Sequence, residues 1–346
     1  MQKNYRVVFT GKSHVELQEA PMPEVKKDQV LVKTLVSQIS TGTELTMLEA
    51  NVEPGSPWLN DIKYPIYPGY SNVGEVVAVG EGVDESFIGK RILTLCTHAK
   101  YDTISVGNNS PRGDNYSWIP DGVENDEAAF GVIAQITLAS IRCAQIKPGE
   151  NVVVFGAGLI GQLVARHAMV AGALNVIVID VSDERLDLVP KNNSFATYNS
   201  KGKKLDVIND FIKSICDGRL ADIVFETTGF QGLLDTELRC IAKNGKLIVT
   251  SSPKGASTIS FDYCSRMGIT TISAHNFTKH TNCDNGLDRW TRRADSEYYM
   301  QLVKKGLVSV DNMITHKANY KDAVKMYEML MADRSKALGV HLYWED

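Results

Sequence analysis

Three glycines with the spacing G-x-G-x-x-G are the residues of this chain whose types and positions most clearly indicate chemistry. Gly156, Gly158 and Gly161 stand in "VVVFGAGLIGQL", directly after an apolar run and at the start of a helical pattern. The first glycine permits a tight turn, the second lets the backbone approach a pyrophosphate, and the third lets the helix pack closely on the strand. The free N–H groups and partial positive charge at a helix N-terminus suit a diphosphate, so the pattern predicts a dinucleotide site. The residues between the glycines are expected to share this contact: Ala157, Leu159 and Ile160.

A carboxylate follows this turn at the distance expected of a ribose-binding acid. The next apolar run, "NVIVID", ends at Asp180, 19 residues after Gly161. A carboxylate there accepts hydrogen bonds from the ribose hydroxyls and repels a 2′-phosphate, so the sequence favours NAD over NADP. Arg185 is a counter-signal, because a nearby arginine can hold a 2′-phosphate. We expect Arg185 instead to border the adenine or to cap a helix turn.

Alternating strand and helix patterns surround the glycine turn and must position it. Apolar or β-branched runs predict strands at 151–155, 175–180, 222–227, 245–252 and 268–274. Helical patterns cover 127–145, 158–172, 205–215 and a stretch that ends at Ala242. Continuous apolar strands that alternate with helices predict an α/β fold, a Rossmann-type doubly wound parallel sheet covered on both faces.

The first 120 residues have a different character. Short alternating or β-branched runs, separated by turn clusters, predict strands at 5–10, 15–20, 29–39, 74–80 and 91–97. They indicate a β-rich unit with a partly closed barrel. The tail adds two helical patterns and a closing strand, at 294–306, 320–331 and 338–344.

Composition excludes several classes of protein. The net charge is −4 over 346 residues and no lysine- or arginine-rich block occurs, which argues against nucleic acid or an anionic membrane as a partner. The six cysteines are at least 19 residues apart, so no C-x-x-C pattern exists and a reducing compartment is indicated. The N-terminal residues lack the apolar core of a signal peptide, and no apolar run reaches membrane-spanning length. We therefore expect a cytoplasmic protein that acts on a small-molecule substrate.

Together these features resemble the medium-chain dehydrogenase/reductase superfamily, of the zinc alcohol dehydrogenase type. The resemblance covers nearly the whole chain and is carried by "GEVVAVGEGV" (74–83), "IKPGENVVVFGAGLIGQL" (146–163) and "FETTG" (225–229). It implies a GroES-like β-barrel catalytic domain built from residues 1–123 and 283–346. A Rossmann NAD-binding domain, residues 124–282, would be inserted between the two parts.

The resemblance also implies further cofactor contacts. Thr227 and Thr228 would lie near a cofactor ribose, and Ser251 would lie near the nicotinamide. His275, which follows a predicted strand, is a candidate substrate or cofactor contact. The family commonly forms homodimers or homotetramers through the edge strand of its nucleotide domain, here about residues 269–274.

The metal-binding pattern of the family is missing. Ser40 or Thr41 stands where the family has a cysteine ligand, and Tyr70 stands where it has the histidine of G-H-E-x-x-G. At the third position Val132 or Ile133 offers no ligand, and no cluster of four cysteines occurs. Since catalytic zinc needs three ligands from Cys, His, Asp or Glu, we expect no zinc. An unorthodox site is the alternative: Glu44, Cys96 and His98.

Residues that could act on the reacting oxygen remain. Thr43 matches the family's Ser/Thr that bonds the substrate hydroxyl and starts a proton relay. Tyr70 could present its hydroxyl to that oxygen, or it could fill the space that the metal has left. His98 suits general acid–base work but could equally be a packed residue, and Glu44 could act or could pin its loop. The blocks "STGTE" and "PGYSNVG" resemble a branch of the superfamily that contains bacteriochlorophyllide a dehydrogenase, without identifying its substrate.

The sequence thus favours an NAD-dependent, zinc-independent oxidoreductase that interconverts a secondary alcohol and its ketone. Two alternatives stay open. One is a reductase of conjugated C=C bonds, such as the zinc-free quinone and enone reductases, although Asp180 speaks against their usual NADP. The other is a nucleotide-binding sensor that has kept the fold without catalysis.

Overall fold

The computed structural model describes residues 3–106, 116–275, 280 and 289–345. These residues divide into two compact units. The first contains residues 1–52, 57–135 and 280–346, and the second contains residues 53–56 and 136–279. Of the helices in the described ranges, none has the length and apolar character that crossing a membrane requires.

Short strands dominate the N-terminal part of the first unit, as predicted. They are β1 (Asn4–Gly11), β2 (His14–Ala20), β3 (Gln29–Ile39), β4 (Asn72–Val79), β5 (Arg91–Thr94), β6 (Tyr101–Ser105) and β7 (Tyr116–Trp118). Two short helices accompany them: α1 (Thr43–Glu49) and α2 (Asn125–Ala128). The strand expected over 91–97 ends three residues early. Beyond it the chain turns inward, and the backbone N–H of His98 donates to the carbonyl of Pro68 at 2.7 Å.

The second unit is built on a parallel sheet. Its strands are β8 (Asn151–Phe155), β9 (Asn175–Asp180), β10 (Phe195–Asn199), β11 (Ala221–Glu226), β12 (Ile241–Val249) and β13 (Thr270–Ser273). The helices of this part of the chain are α3 (Gly131–Ala144), α4 (Leu159–Val170), α5 (Asp183–Leu186), α6 (Leu205–Ile215), α7 (Leu234–Leu238) and α8 (Phe261–Met267). The strand order β10-β9-β8-β11-β12-β13, with all pairs parallel, confirms the predicted doubly wound sheet.

Two helix predictions in this region were wrong in extent. The pattern over 127–145 forms two helices, α2 and α3, separated at Ala129–Phe130. The helix expected to reach Ala242 stops at Leu238, and the chain enters β12 at Ile241 because that residue pairs with Ala221 of β11. Sheet pairing therefore takes residues that local pattern alone assigns to a helix.

The tail completes the sheet of the first unit. It forms α9 (Arg292–Lys304), β14 (Ile314–Asn319), α10 (Ala323–Ala332) and β15 (Gly339–Tyr343). The sheet runs β14-β15-β3-β4-β5-β7, with β6 also paired to β3. Strand β15 pairs antiparallel with β3, so the C-terminal strand lies beside a strand from the first forty residues.

Each sheet has a core that fixes the site-bearing loops. In the second unit, apolar clusters cover both faces of the parallel sheet, and Val152, Val153 and Phe225 are among the residues with almost no exposed surface. In the first unit, Leu45 and Leu48 of α1 pack in one cluster with Tyr327 of α10. That packing anchors α1, the helix that carries Thr43 and Glu44.

Candidate active site and cofactor site

The glycine turn has the geometry that a dinucleotide site requires. Gly156 has φ +101°, a conformation that residues with a Cβ rarely adopt, and a Cβ on Gly161 would lie 1.8 Å from the carbonyl oxygen of Gly156. Helix α4 begins at Leu159, immediately after Gly158 in an extended conformation. The first N–H groups of α4 therefore follow the turn directly, where they can meet a diphosphate.

Asp180 ends β9 beside this turn. Its Oδ2 accepts the N–H of Ala157 at 2.6 Å, and its Oδ1 accepts the N–H groups of Val181 and Ser182 at 2.7 and 2.9 Å. The carboxylate is thereby held next to the glycine loop. Arg185 lies in α5, with its side chain 3.9 Å from the point where a Cβ on Gly158 would stand. The cap of α5 is Ser182, whose Oγ accepts the N–H of Arg185 at 3.3 Å.

A buried carboxylate organises the next two strand ends, and the sequence reasoning assigned it no role. Glu226, the last residue of β11, is 1% exposed. Its Oε1 accepts the N–H of Thr228 at 2.6 Å, the hydroxyl of Thr228 at 2.8 Å and the N–H of Gly229 at 2.8 Å. Its Oε2 accepts the hydroxyl of Ser251, which lies just beyond β12. Glu226 thus ties together two of the segments that were expected to meet the cofactor.

Of the other residues that were expected to contact the cofactor, Thr227 lies beside the glycine turn and His275 lies at the surface. The Thr227 hydroxyl donates to the carbonyl of Phe155 at 2.7 Å, so it supports the glycine turn from β11. Thr250, which the sequence analysis did not single out, is buried just beyond β12, and its Oγ1 has no hydrogen-bond partner in the described part of the chain. His275 is exposed, two residues past β13. The glycine cradle fits a bound dinucleotide.

Three hydroxyls form a cluster in the first unit. The Tyr70 hydroxyl donates to Ser40 Oγ at 2.5 Å and is also hydrogen-bonded to the side chain of Thr43. Tyr70 and Thr43 are half-buried, whereas Ser40 is 6% exposed. Burial raises the pKa of Tyr70 to about 12; the bonds to Ser40 and Thr43 oppose that rise and the nearby Glu44 charge adds to it. Tyr70 is therefore a protonated donor at neutral pH.

A fully buried pair of hydrogen-bonded side chains, His98 and Glu44, lies behind the hydroxyl cluster. His98 and Glu44 have 0% exposure, and His98 Nε2 lies 3.2 and 3.3 Å from the two carboxylate oxygens of Glu44. Glu44 Oε1 also accepts the backbone N–H of Ser40 at 3.0 Å, and Glu44 Oε2 accepts the Tyr327 hydroxyl. Burial and then the Glu44 charge raise the pKa of Tyr327 well above its ordinary value. Neither His98 nor Glu44 offers an atom to solvent.

The second nitrogen of His98 defines the tautomer. Trp344 Nε1 donates to Ser37 Oγ at 2.8 Å, and Ser37 Oγ lies 2.8 Å from His98 Nδ1. Since the serine oxygen already accepts from the indole, its own hydrogen is available for Nδ1. The remaining ring proton then lies on Nε2, where it is donated to Glu44.

The donor set does not fit a catalytic zinc ion. At the positions that the resemblance assigns to metal ligands, Ser40, Thr41 and Tyr70 carry hydroxyl groups and offer neither a thiolate nor an imidazole. Val132 and Ile133 of α3 are buried and have no polar side-chain atom. Across the ranges that the structure describes, no three His, Cys, Asp or Glu side chains are grouped so that they could hold a metal ion. The Cys96 side chain is hydrogen-bonded to Thr94 and Asp102 rather than grouped with Glu44 and His98, and burial raises the pKa of its thiol.

Comparison with protein families gives two matches. Residues 26–144 match the "Alcohol dehydrogenase GroES-like domain" and residues 160–290 match the "Zinc-binding dehydrogenase" family. The two matches follow one another along the chain.

Individual relatives agree with these families over nearly full length. The chain is 24% identical to sorbitol dehydrogenase 1 of Saccharomyces cerevisiae, with 95% of each chain covered. Among solved structures, galactitol-1-phosphate dehydrogenase from Escherichia coli has a TM-score of 0.82 at 20% identity, covering 98% of this chain and 100% of the other. The 2R,3R-butanediol dehydrogenase from Bacillus subtilis has a TM-score of 0.81 at 17% identity, covering 99% and 100%. These structural likenesses confirm the fold.

Proposed function

The chain belongs to the medium-chain dehydrogenase/reductase superfamily of the zinc alcohol dehydrogenase type, and on this premise we propose that it interconverts a secondary alcohol and its ketone with NAD and without zinc. It is an alcohol dehydrogenase-like oxidoreductase. The observation that carries the finer proposal is the hydroxyl cluster of Ser40, Thr43 and Tyr70. The family resemblance implies metal ligands at the position of Tyr70 and at that of Ser40 or Thr41, and a substrate-bonding hydroxyl at Thr43. The sorbitol dehydrogenase relative supports a polyol or related secondary alcohol as the first substrate class to test.

The cofactor assignment rests on the glycine turn and Asp180. Gly156, Gly158 and Gly161 would hold the diphosphate, and the Asp180 carboxylate would accept the hydroxyls of the adenosine ribose. The Asp180 side chain is fixed by three backbone N–H groups, which supports a preformed acceptor. NAD, when bound, takes a hydride from the alcohol carbon or returns one to the ketone.

Tyr70 and Thr43 would act on the substrate oxygen. A zinc-free site must still stabilise the negative charge that develops on that oxygen, and hydrogen-bond donors held in place can do so. The pKa of Tyr70, raised to about 12, supports a role as a donor rather than as a base. Thr43 would share the oxygen. The alcohol proton would pass through the hydroxyls of Tyr70, Ser40 and Thr43, each of which accepts one proton as it gives another, and would be released to solvent at the half-buried side chain of Thr43.

His98 and Glu44 would be positioning residues. Their burial places them behind the hydroxyl cluster, and the Glu44 carboxylate holds the backbone N–H of Ser40 at 3.0 Å. The sequence suggested that His98 transfers protons directly. Because His98 is buried, we propose instead that it supports Glu44. Glu44 in turn would fix Ser40 as the hydrogen-bond acceptor of Tyr70.

One experiment tests the zinc-free alcohol dehydrogenase. The purified protein would be incubated with a chelator, analysed for zinc, and assayed with NAD and a panel of secondary alcohols. We expect less than one zinc per ten subunits and unchanged turnover after chelation. One tightly held zinc per subunit, with activity lost on its removal, would refute the metal-free mechanism, and no turnover of the panel would refute the reaction.

The assembly we propose is a homodimer or homotetramer. Strand β13 ends the parallel sheet, and Thr270, Thr271 and Ser273 on it are exposed. An unpaired strand edge with exposed backbone groups is suited to pairing with a second copy. Light scattering on the wild type and on Thr271→Pro tests this, with a smaller species expected for the variant.

A further inference from the structure

Glu226 is surrounded by donors only. Its two oxygens accept four hydrogen bonds, from two backbone N–H groups and the hydroxyls of Thr228 and Ser251. In the described part of the chain, no lysine, arginine or histidine forms an ion pair with Glu226, so its negative charge is not neutralised by a side chain.

The neighbouring carboxyl group has the opposite surroundings. Glu237 of α7 is 0% exposed, and neither of its oxygens has a hydrogen-bond partner within the described residues. Burial, and then the charge of Glu226, raise the pKa of Glu237 to about 9. Glu237 is consequently neutral at physiological pH and adds no charge beside Glu226.

The position of the Glu226 carboxylate matters because it is hydrogen-bonded to two segments of the proposed cofactor site. Thr228 lies on the loop after β11 and Ser251 lies after β12. The family resemblance implies that Thr228 lies near a cofactor ribose and that Ser251 lies near the nicotinamide. The carboxylate of Glu226 is one hydrogen bond away from each of them. The oxidised nicotinamide ring carries a positive charge and the reduced ring is neutral, so a carboxylate at this place distinguishes the two forms.

We propose that Glu226 is a positioning residue for the nicotinamide half of the site and that its charge makes the protein bind NAD+ more tightly, relative to NADH, than a neutral side chain would. This inference rests on the proposed function, because it requires a dinucleotide at the glycine turn. It adds a determinant of the cofactor's oxidation state. By stabilising the bound oxidised form, this charge shifts the equilibrium between the two bound forms of the cofactor toward NAD+, and so favours hydride transfer to the ketone.

The variant Glu226→Gln isolates the charge. A glutamine Oε1 can accept the same three bonds from Thr228 and Gly229, and its amide can donate to Ser251 Oγ, so the shape and the bonds are retained. For unit charges ~8 Å apart, Coulomb's law with an effective dielectric constant between ~80 and ~20 gives a ~2- to 30-fold change in affinity. We expect NAD+ affinity to fall by that factor in E226Q while NADH affinity changes less than about twofold.

Calorimetric titration of NAD+ and NADH into the wild type, E226Q, Glu226→Asp and Glu237→Gln tests the inference, with thermal unfolding as the check on folding. Glu226→Asp keeps the charge but shortens the reach, so both affinities should fall together and their ratio should hold, and this comparison stands even if E226Q does not fold. Glu237→Gln replaces a neutral acid and should leave the ratio unchanged.

An unaltered ratio in folded E226Q, a ratio shifted in Glu226→Asp, or an equal shift in Glu237→Gln would overturn the inference. Failure of the wild type to bind either form would instead refute the dinucleotide site itself.

Discussion

The imidazole of His98 lies 3.2 Å from the carboxylate of Glu44, and both side chains are completely buried. A carboxylate in a protein interior is tolerated only when donors surround it, and here the donors are His98, Tyr327 and the backbone of Ser40. The His98–Glu44 pair therefore contributes to the stability of the fold and also fixes Ser40, a member of the hydroxyl cluster.

Removal of one partner should be costly. We expect His98→Ala to lower the free energy of unfolding by about 1–3 kcal/mol, because the buried carboxylate of Glu44 would lose its imidazole donor. Denaturant unfolding measures this. The double variant His98→Ala/Glu44→Gln should regain part of the loss, and an exposed control, His14→Ala, should change nothing. Unchanged stability of His98→Ala would show that the pair is not a structural anchor.

Loss of the Tyr70 hydroxyl should affect turnover more than folding. We expect Tyr70→Phe to lower kcat by roughly 10²-fold, the usual cost of removing one donor to a developing oxyanion. Its matched control is Tyr67→Phe, three residues away and 43% exposed, which should keep full turnover. Because the pKa of Tyr70 is about 12, the wild-type rate should show no loss from Tyr70 ionisation below pH ~10. Full turnover of Tyr70→Phe would remove this residue from the mechanism.

Glu237 should make the protein less stable as the pH rises. Its pKa is raised from 4.5 to about 9, by burial first and by the charge of Glu226 second, and the Cys240 thiol lies within the same electrostatic environment. Between these two values the folded state binds more protons than the unfolded state, so stability falls with pH by at most about 1.4 kcal/mol per unit. Glu237→Gln should flatten this dependence, as followed by urea unfolding from pH 5 to 9. If the free energy of unfolding depended on pH in the same way for the wild type and Glu237→Gln, Glu237 would not be the group whose pKa is raised.

Asp180 should determine the choice of dinucleotide. Asp180→Ser removes the acceptor for the ribose hydroxyls and the charge that repels a 2′-phosphate, so NAD should bind roughly tenfold more weakly while NADP gains relative affinity. Fluorescence titration with both reduced cofactors measures the ratio. Asp183→Ser, an exposed neighbour bonded to Asn199, is the control and should leave the ratio as it is. A ratio that does not move in Asp180→Ser would contradict the ribose assignment.

The parts that the sequence predicted are local patterns. Gly156, Gly161 and Asp180 lie within 25 residues of one another, and their roles follow from a strand, a turn and a helix that are visible in one window. The parallel arrangement of the strands follows from the same alternation, since a connection between parallel strands usually contains a helix. The order of the strands was not predicted, because it depends on which strands pair in the folded sheet.

The parts that it did not predict depend on distant segments. Nothing near Glu44 indicates that Tyr327 and His98 will be its partners, because sheet pairing and the packing of α10 bring them together. Glu226 stood inside a recognised motif, yet its role needs Ser251, which only the register of β11 on β12 places beside it. A carboxylate at the end of an otherwise apolar strand was the available signal.

The hydrogen bond from Tyr327 to Glu44 joins positions 283 apart in the chain. During synthesis, α1 leaves the ribosome long before the segment that completes its environment, whereas residues 136–279 contain a continuous stretch of the second unit. Since domains fold as units while the chain emerges, the nucleotide-binding sheet can form first. We therefore expect the proposed reaction centre to be completed only after the segment that carries Tyr327 has been translated. A product that stops before this segment should bind the proposed cofactor but lack a finished reaction centre.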